Sequence, residues 1–479
     1  MNLTNNLEDN LSKINASLKL GESFDILHRI IDIRGTQFYL YYLDGFTKDL
    51  NFESIRKDLY ALSENDFKSI QSAKDFIEKG ISSVEVGLES SIEKIITAIL
   101  SGQTALFAPG YNEAVIIDLR TYVARNTDEP SKEKVLRGAH DGFVETIVFN
   151  TALIRRRIRD PHLVFKMYSV GSVSHTDVAI GYMRNKVDKK TLSMVTQFIK
   201  DLSVDALTVG DQSLVEAIHS KSWFNPFPKV RYTERPDVAA AHLIEGKVVV
   251  LVDNTPTALI LPTSIFDFMQ TIDDYYLPVL TGNYLRLVRY LVFFANLLLT
   301  PIFVLITNNP HWLPENLNFI LPQDPYVVPL FLQFILLEVA IDGLQMASIH
   351  TPNVLGTSLS IIGGLILGDY AVKTGWFIPQ SILYMAVVAL SSFAQPSVEL
   401  GYAIKFSRIF FILMTGIFGL WGFILSAIIN LLILGFTKTF TGRSYLYPLI
   451  PFNWNALSHL LFRTRLSVKQ SVKHDAQSK

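Results

Sequence analysis

Long apolar segments in the second half of the chain limit what it can fold into. Between Tyr284 and Phe436 the sequence is apolar enough to lie in lipid, whereas the residues before it have the composition of a water-soluble protein. The stretch from Leu285 to Thr307 alone has the roughly 20 residues that a helix needs to cross bilayer hydrocarbon. The sequence therefore predicts a membrane bundle joined to a large polar body, as in a sensor, a channel subunit or a transporter.

Composition and motifs exclude several other classes of protein. The net charge of the 479 residues is -1, so no overall field attracts nucleic acid, and cysteine is absent, which excludes disulfides, Cys-type zinc sites and a thiol nucleophile. The sequence contains no Gly-x4-Gly-Lys phosphate loop, no His-Glu-x-x-His motif and no Gly-x-Ser-x-Gly elbow. We therefore expect no enzyme activity, no catalytic residue, no metal site and no cofactor.

The N-terminal half is predicted to be an α+β body of two subdomains. Residues 1–23 are predicted to be a mobile or loosely docked arm, and residues 24–125 to form the first subdomain. Its strands pair on either side of Arg34-Gly35, helices follow near 50–62, 64–79 and 91–100, and a second hairpin turns at Pro109-Gly110. Because no signal peptide is visible at the N-terminus, we expect this body to be cytoplasmic.

The second subdomain is predicted to span residues 126–280. A charged connector, 126–134, precedes a long helix near 141–160, a strand at 177–183 and a helix at 189–202. A hairpin over 247–262 has near-continuous apolar strands, which predicts burial on both faces of its sheet. No internal repeat is visible in the sequence.

Residues 281–436 are predicted to form a transmembrane helical domain of four or five segments. The candidates are 287–307, 326–347, 355–372, 379–396 and 409–436, and the last is about 42 Å long as a helix. That length is long for one crossing and short for two, so we expect it to tilt or to extend beyond the bilayer. Residues 437–479 are predicted to be a basic cytoplasmic tail.

The basic residues on both sides of this domain indicate the cytoplasm for both ends. Arg286 and Arg289 precede the first segment, and Lys438, Arg443 and Arg463 follow the last. Five full crossings would instead place the two ends on opposite sides. Either one segment lies partly in the interface, with 326–347 the weakest candidate for a crossing, or the tail is an exception.

Acidic residues within segment 326–347 are the candidate functional residues. Glu338, Asp342 and Gln345 share one face of a helix, and acidic groups at bilayer depth normally face a bundle interior or water. One interpretation is a pore lining that attracts cations. The other is an amphipathic helix at the interface with that face wet.

Two further clusters in the body are candidates for subunit or subdomain contacts. The first is the basic run Arg155, Arg156, Arg157 and Arg159, which could meet phosphate or anionic lipid, although intersubunit or interdomain ion pairing with the acidic connector is favoured. The second is Thr233, Glu234, Arg235 and Asp237, where Thr233 could cap a helix that has Pro236 in its first turn. No nucleophile or metal partner adjoins it, so a structural role is preferred.

Several motifs resemble the A-subunit (GerA) family of bacterial spore germination receptors. They are Arg-Gly-Ala-His-Asp-Gly-Phe at 137–143, the run from Asn150 to Asp160, Tyr-Thr-Glu-Arg-Pro-Asp-Val at 232–238 and Val-Asp-Asn-Thr-Pro at 252–256. Within the family, the stretch from Trp223 to Asp237 and the stretch from Ala347 to Pro352 most resemble the stage V sporulation protein AF branch. Receptor A subunits usually carry Arg-Gly-Pro-Arg-Glu-Gly-Phe at the first motif, so the chain departs from them there.

The resemblance implies a protein of the spore inner membrane that acts in germination as a homo-oligomeric, cation-conducting ring. It also implies that a permease-like B subunit and a lipoprotein C subunit are possible partners, besides the lipid bilayer, and that nucleic acid is not. We thus expect a channel subunit that promotes ion release. The alternatives are a nutrient-sensing A subunit and a non-conducting scaffold for other germination proteins.

Overall fold

The computed structural model describes residues 1–47, 49–65, 70, 72–81, 85–120, 133, 137–219, 224–322, 325–350 and 371–463. The chain divides into two compact units. The first, here called the body, comprises residues 1–221 and 230–262, and the second, the membrane unit, comprises 222–229 and 263–479. The membrane unit thus begins earlier than the predicted boundary at 280/281, because residues 263–280 pack with the helices that follow them.

The body contains a first antiparallel sheet with helices on both faces. Its strands β1 Ile26–Ile33, β2 Thr36–Leu43, β3 Val86–Glu89, β4 Thr104–Phe107 and β5 Ala114–Ile117 lie in the order β1-β2-β4-β5-β3. Helices α1 Leu7–Leu18 and α4 Ile92–Leu100 cover one face, and α2 Asp49–Ala61 and α3 Ala73–Gly80 cover the other. Successive side chains of a strand point to opposite faces of the sheet, so β4 contributes to the hydrophobic cores on both faces. Ala105 and Phe107 belong to the first core, beside α1 and α4, and Leu106 belongs to the second, beside α2 and α3.

A second antiparallel sheet follows in the body. Helix α5 Ile147–Arg157 precedes strands β6 Leu163–Val170 and β7 Thr176–Met183, and helices α6 Lys189–Asp201 and α7 Asp211–His219 come next. Strand β8 Arg231–Thr233, helix α8 Pro236–Ile244 and strands β9 Val248–Val252 and β10 Ala258–Leu261 complete it, in the order β6-β7-β9-β10-β8. Every residue of β9 and β10 is buried, which confirms the burial predicted for this hairpin.

The two halves of the body are structural repeats, which the sequence did not reveal. Among the elements whose bounds the structure describes, each half runs helix, two strands, two helices, strand, helix, two strands, and each sheet has its strands in the order first, second, fourth, fifth, third. Local details repeat as well. The Asn10 side chain in α1 accepts a bond from the Thr4 amide at 2.9 Å, and Asn150 in α5 does so from Val144 at 2.8 Å. Gly102 after α4 and Gly246 after α8 both have positive φ, at 95° and 91°.

Helix α1 occupies the segment for which the sequence predicts a loosely docked arm. Leu11, Ile14 and Leu18 lie at helical spacing and are buried in the first core beside α4. Asn6 caps the helix by accepting a bond from the Asp9 amide at 3.2 Å. Of the polar residues that suggested mobility, Ser12 is exposed on the opposite face, whereas Asn10 is buried and Asn15 accepts a bond from the Tyr41 hydroxyl at 2.8 Å.

The predicted hairpins are confirmed, and the helices differ mainly at their ends. Strands β1 and β2 pair across Arg34-Gly35, β4 pairs with β5, and β9 pairs with β10. Helix α5 begins at Ile147 and ends at Arg157, so it is shorter than the predicted 141–160. The connector at 126–134 lies outside the described residues apart from Glu133.

Among the described residues of the membrane unit, three helices are long and apolar enough to cross a membrane. They are α10 Val279–Asn308, which follows the short helix α9 Asp273–Tyr276, then α11 Leu330–His350 and α14 Val398–Phe436. Two helices lie between α11 and α14 in the chain: α12 Ala371–Lys373 and α13 Pro379–Phe393, which is apolar but shorter than the three long helices. The last described helix is α15 Trp454–Leu461. Predicted segment 355–372 lies outside the described residues, except for its last two.

Helix α14 consists of two helical limbs that fold back on each other at Gly419. The backbone of Gly419 is non-helical, with φ 59° and ψ -136°. Across it the rings of Phe411 and Phe423 approach to 5.4 Å, although twelve residues of straight helix would separate them by about 18 Å. Leu400 and Ile433 also share one hydrophobic cluster. The predicted single segment 409–436 is therefore the end of one limb and the whole of another.

This hairpin brings the end of the last membrane helix back beside the beginning of the first. The hydrophobic cluster that holds Leu400 and Ile433 also contains Tyr290 and Phe293 from the early part of α10. The Arg463 amide donates to Asn283 Oδ1 at 2.7 Å, so the tail lies at the same end. The basic residues that flank the domain therefore lie at one end of the bundle, as their charge predicts for a single side of the membrane.

Candidate functional site

The acidic face predicted for the second membrane segment lies on α11. This helix packs in the bundle, since Leu330 and Phe334 are buried against Phe303 of α10. Glu338 is 2% exposed, and Asp342 and Gln345 lie half-buried one and two turns further on. Glu338 thus lies among helices rather than on a wet face at the interface.

Two cations from the first limb of α14 neutralise these carboxylates. Arg408 Nε donates to Glu338 Oε1 at 2.6 Å, and Lys405 Nζ lies 3.7 Å from Glu338 Oε2 and also contacts Asp342. Lys405 and Arg408 are three residues apart, and Glu338 and Asp342 are four residues apart. Each pair therefore lies along one face of its helix, and the two faces meet. We call these four side chains the charged cluster, and its formal charge is zero.

Arg408 also joins the charged cluster to α10. Its Nη1 donates to the backbone oxygen of Asn296 at 2.9 Å and contacts the Asn296 side-chain oxygen, which also accepts a bond from Ser392 of α13 at 3.3 Å. Four helices therefore meet at one buried guanidinium. Such a hydrogen-bonded position is what a charge in a low-dielectric interior requires.

Further polar atoms lie buried in the bundle without a hydrogen-bond partner among the described residues. They belong to α10, α14 and the link before α14, and they are Asn296 Nδ2, Thr300 Oγ1, Gln395 Nε2 and Oε1, Ser407 Oγ and Thr415 Oγ1. Asn296, Thr300 and Thr415 are fully buried. Because lipid cannot satisfy such groups, water or an ion is the expected partner.

Sequence reasoning missed Lys405 and Arg408, although a signal was present. The predicted segment 409–436 begins one residue after Arg408 and so leaves both cations outside it. Two cations in a largely apolar helix match the acidic pair of α11 in number, and the members of each pair lie about one helical turn apart. Pairing the charges of different segments would have found them.

The basic run of the body contains one buried and three more accessible arginines. Arg155 is fully buried, with Nε at 2.8 Å and Nη2 at 3.0 Å from the two carboxylate oxygens of Asp25, and its guanidinium lies 5.5 Å from the Phe165 ring centre. It therefore links α5 to the segment before β1, across the two repeats. Arg157 contacts Asp141 at 2.5 Å, while Arg156 and Arg159 are exposed.

The second predicted cluster surrounds the start of α8. The Thr233 hydroxyl donates to Glu133 at 2.7 Å, and Arg235 forms two bonds to Asp237, at 3.0 and 2.7 Å. Helix α8 begins at Pro236 as predicted, but its N-cap residue is Arg235 and no side chain caps it, so the capping role predicted for Thr233 is wrong. Burial raises the pKa of the Glu133 carboxyl, although Thr233 and the Glu234 amide both donate to it.

The chemistry of these sites is that of ion pairing. No group of three or more His, Asp or Glu side chains that could hold a metal occurs in the described part of the chain. Whether Glu338, Asp342 and Gln345 line a pore, and whether the two body clusters mediate subunit contacts, stay predictions.

Comparison with known proteins identifies the family. The Bacillus/Clostridium GerA spore germination protein family matches residues 13–474. The stage V sporulation protein AF of Bacillus subtilis (strain 168) is 38% identical over 459 residues, which cover 95% of this chain and 92% of that protein. The spore germination protein KA of the same organism is 30% identical, covering 93% of this chain and 82% of that protein.

The chain is also similar to a solved structure. It is the N-terminal domain of the A subunit of the Bacillus megaterium spore germinant receptor GerK3, at 24% identity and a TM-score of 0.40, covering 54% of this chain and 96% of that one. The predicted resemblance is confirmed by the family match and the relatives. With an α+β body followed by apolar helices that could span a membrane, the chain is a membrane-associated member of the GerA spore germination protein family.

Proposed function

We propose that this protein is a channel subunit that passes monovalent cations across the spore inner membrane during germination. The observation that carries the proposal is the charged cluster, with its unpartnered polar neighbours, inside helices apolar enough to lie in lipid. Charged side chains inside membrane bundles are costly and commonly mark ion pathways. Acidic groups select for cations in such pathways.

The resting arrangement is closed in an electrostatic sense. Glu338 and Asp342 can attract a cation only when Lys405 and Arg408 are not paired with them. In this conformation the four charges cancel. Passage of a cation therefore requires Lys405 or Arg408 to move away from its carboxylate. The unpartnered hydroxyl oxygens of Thr300 on α10 and Thr415 on α14 would then supply oxygen ligands to the ion along the pathway.

The proposal includes an assembly and a location. We propose a ring of identical chains, with the body and both ends of the membrane domain on the cytoplasmic side, in agreement with the basic residues at one end of the bundle. A permease-like B subunit and a lipoprotein C subunit are proposed partners. No enzymatic step is part of the proposal.

Cation flux from liposomes tests the proposal. The full chain, alone and with the proposed partner subunits, should release potassium or sodium. Glu338→Gln and Asp342→Asn should slow this release, because each leaves an excess positive charge in the pathway, whereas Lys405→Gln should speed it. Glu399→Gln is the matched control. Glu399 lies on α14, as Lys405 does, but its carboxylate accepts a bond from Ser397 at 2.7 Å and is not part of the charged cluster.

The outcomes separate the three candidate functions. Variants that change flux in the two opposite directions support the channel. Absence of flux in every partner combination would contradict it and favour the non-conducting scaffold. Saturable binding of an amino acid or a sugar by the body, with no flux that depends on the charged cluster, would favour the nutrient-sensing subunit.

A further inference from the structure

Residues 445–463, which follow the last membrane helix, form a segment fixed at both ends to the base of the bundle. At its start the Tyr445 hydroxyl donates to the Pro228 oxygen at 2.7 Å, and Tyr445 is fully buried in the cluster that holds Leu400 and Ile433. At its end the oxygen of Leu460 accepts bonds from Arg286 and Tyr290, each at 3.0 Å. We call residues 445–463 the return segment.

The Arg463 side chain strengthens the second attachment. Its Nη2 donates to the Tyr275 oxygen at 3.0 Å, its guanidinium lies 5.5 Å from the Tyr275 ring centre, and its backbone exchanges two bonds with the Asn283 side chain. Both attachments lie beside the first turns of α10, where that helix enters its apolar stretch. The return segment therefore lies at the level of the membrane boundary.

Between these attachments the return segment exposes large apolar and aromatic side chains. The six residues concerned are 43% or more exposed, and they are Tyr447, Leu449, Ile450, Phe452, Trp454 and Phe462. A soluble tail does not normally present so many large apolar groups in so short a stretch. Tyr and Trp are the residues enriched where a membrane meets water, because their rings combine an apolar body with a polar atom.

Charge and continuity indicate which partner covers this surface. The segment emerges from the second limb of α14, whose exposed Leu431, Leu432 and Phe436 have the apolar character that lipid requires. Exposed Lys438 and Arg443 lie between the two, at the position where cations meet lipid headgroups. A lipid surface accounts for both the aromatic residues and the neighbouring cations.

We propose that the return segment lies in the interface of the bilayer, with its exposed side chains among the lipid headgroups and upper acyl chains. It would then be a membrane-surface element that anchors the base of α10 and α14. This differs from the cytoplasmic tail predicted from residue 437 onward. The inference does not depend on ion conduction, because a scaffold that conducts nothing would have the same surface element.

Site-directed spin labelling tests the inference, and the absence of cysteine makes single-cysteine variants simple to design. Ile450→Cys and Phe452→Cys would be spin-labelled separately in the full chain, in vesicles of phosphatidylethanolamine and phosphatidylglycerol. Leu431→Cys, on the second limb, is the lipid control. Val173→Cys, 75% exposed in the turn after β6, is the water control. The measurement is the collision rate of each label with oxygen, which concentrates in lipid, and with a water-soluble nickel chelate.

The expected result is an oxygen-to-nickel ratio at positions 450 and 452 several-fold above the ratio at 173 and approaching that at 431. A ratio equal to the water control would overturn the inference and restore a solvated tail. Low collision rates with both reagents would also overturn it, because they would show a protein partner on this surface. Two labelled positions keep the test valid if one substitution disturbs the fold.

Discussion

The fold-back of α14 at Gly419 makes a quantitative prediction about distance. As one straight helix its 39 residues would extend about 58 Å, roughly twice the hydrocarbon thickness. Tyr402 on the first limb and Leu432 on the second are both about half exposed, at 46% and 50%, so both accept a label. A straight helix would separate their backbones by about 45 Å. Packed antiparallel helices have axes about 8–10 Å apart, so the folded-back helix predicts a much shorter distance.

Double electron–electron resonance between labels at Tyr402→Cys and Leu432→Cys measures this distance in the full chain in vesicles. The expected distance is below about 25 Å once label lengths are added to the interhelical spacing. The control pair, Tyr402→Cys with Leu413→Cys, lies on one limb and should give about 16 Å along the helix axis in either case. A distance near 45 Å between 402 and 432 would refute the hairpin and, with it, the return of the chain to its starting side.

Gly419 is the residue on which this fold-back depends. Its φ of 59° with ψ of -136° is a conformation that side chains other than glycine avoid, and a Cβ there would meet no atom within 4 Å. Gly419→Ala should therefore destabilise the bundle through backbone strain alone, by about 1–3 kcal/mol. Gly435→Ala, also in open space but with helical backbone, should not destabilise it. Equal effects of the two substitutions on thermal unfolding would contradict this assignment.

Three further predictions concern packing and charge elsewhere. Asp25→Ala should lower the opening free energy of α5 by about 3–5 kcal/mol, because it leaves the Arg155 charge buried and unpaired. Adding Arg155→Met should recover most of the lost opening free energy, which amide hydrogen exchange of α5 measures. An opening free energy as low in the double variant as in Asp25→Ala would contradict this prediction. Burial, followed by the charge of Lys247, lowers the pKa of His242 below its usual 6.5. Its contribution to stability should then be present above pH 6.5 and be lost as the pH falls through the lowered pKa. His242→Phe should flatten the pH dependence of unfolding, and an unchanged slope would exclude His242 as its source. Gly416→Ala should lower the melting temperature, at a cost of about 1–3 kcal/mol, because a Cβ there would meet the Phe331 side chain at 2.3 Å; Gly401→Ala, in open space, should not.

The secondary structure of the body could be predicted because its signals are local. The turns at Arg34-Gly35 and Pro109-Gly110 and the apolar runs beside them fix the hairpins without reference to the rest of the chain. The repeat is not visible in the sequence, because the two halves share the order of their elements and not a pattern of residues. Only isolated residues such as Asn10 and Asn150, or Gly102 and Gly246, recur with it. Their roles are backbone contacts that many sequences can make.

The hairpin of α14 gives no ordinary turn signal. Turns in water are commonly marked by Asn, Asp and Ser, whose polar side chains bond to the backbone, and by Pro, whose ring fixes φ. Here the turn lies between Phe418 and Leu420 in an apolar run, and a single glycine supplies the conformation. A hydropathy pattern therefore joins the two limbs into one segment, whose length suggests a tilted or extended helix instead of a turn.

Lys405 and Arg408 are not equivalent in the proposed pathway, although both are cations on the same helix. Arg408 is 1% exposed and donates to α10 as well as to Glu338, so removing it would leave the buried Glu338 carboxylate without its guanidinium partner and would break the link to Asn296. Arg408→Gln should therefore reduce the stability of the bundle by several kcal/mol. The contact of Lys405 is with Asp342, whose side chain is 40% exposed, where separation of the charges is assisted by water. The movable charge of the cluster is thus Lys405, and opening should free Asp342 before Glu338. Flux that increases with Arg408→Gln in a fully folded protein, but not with Lys405→Gln, would reverse this order.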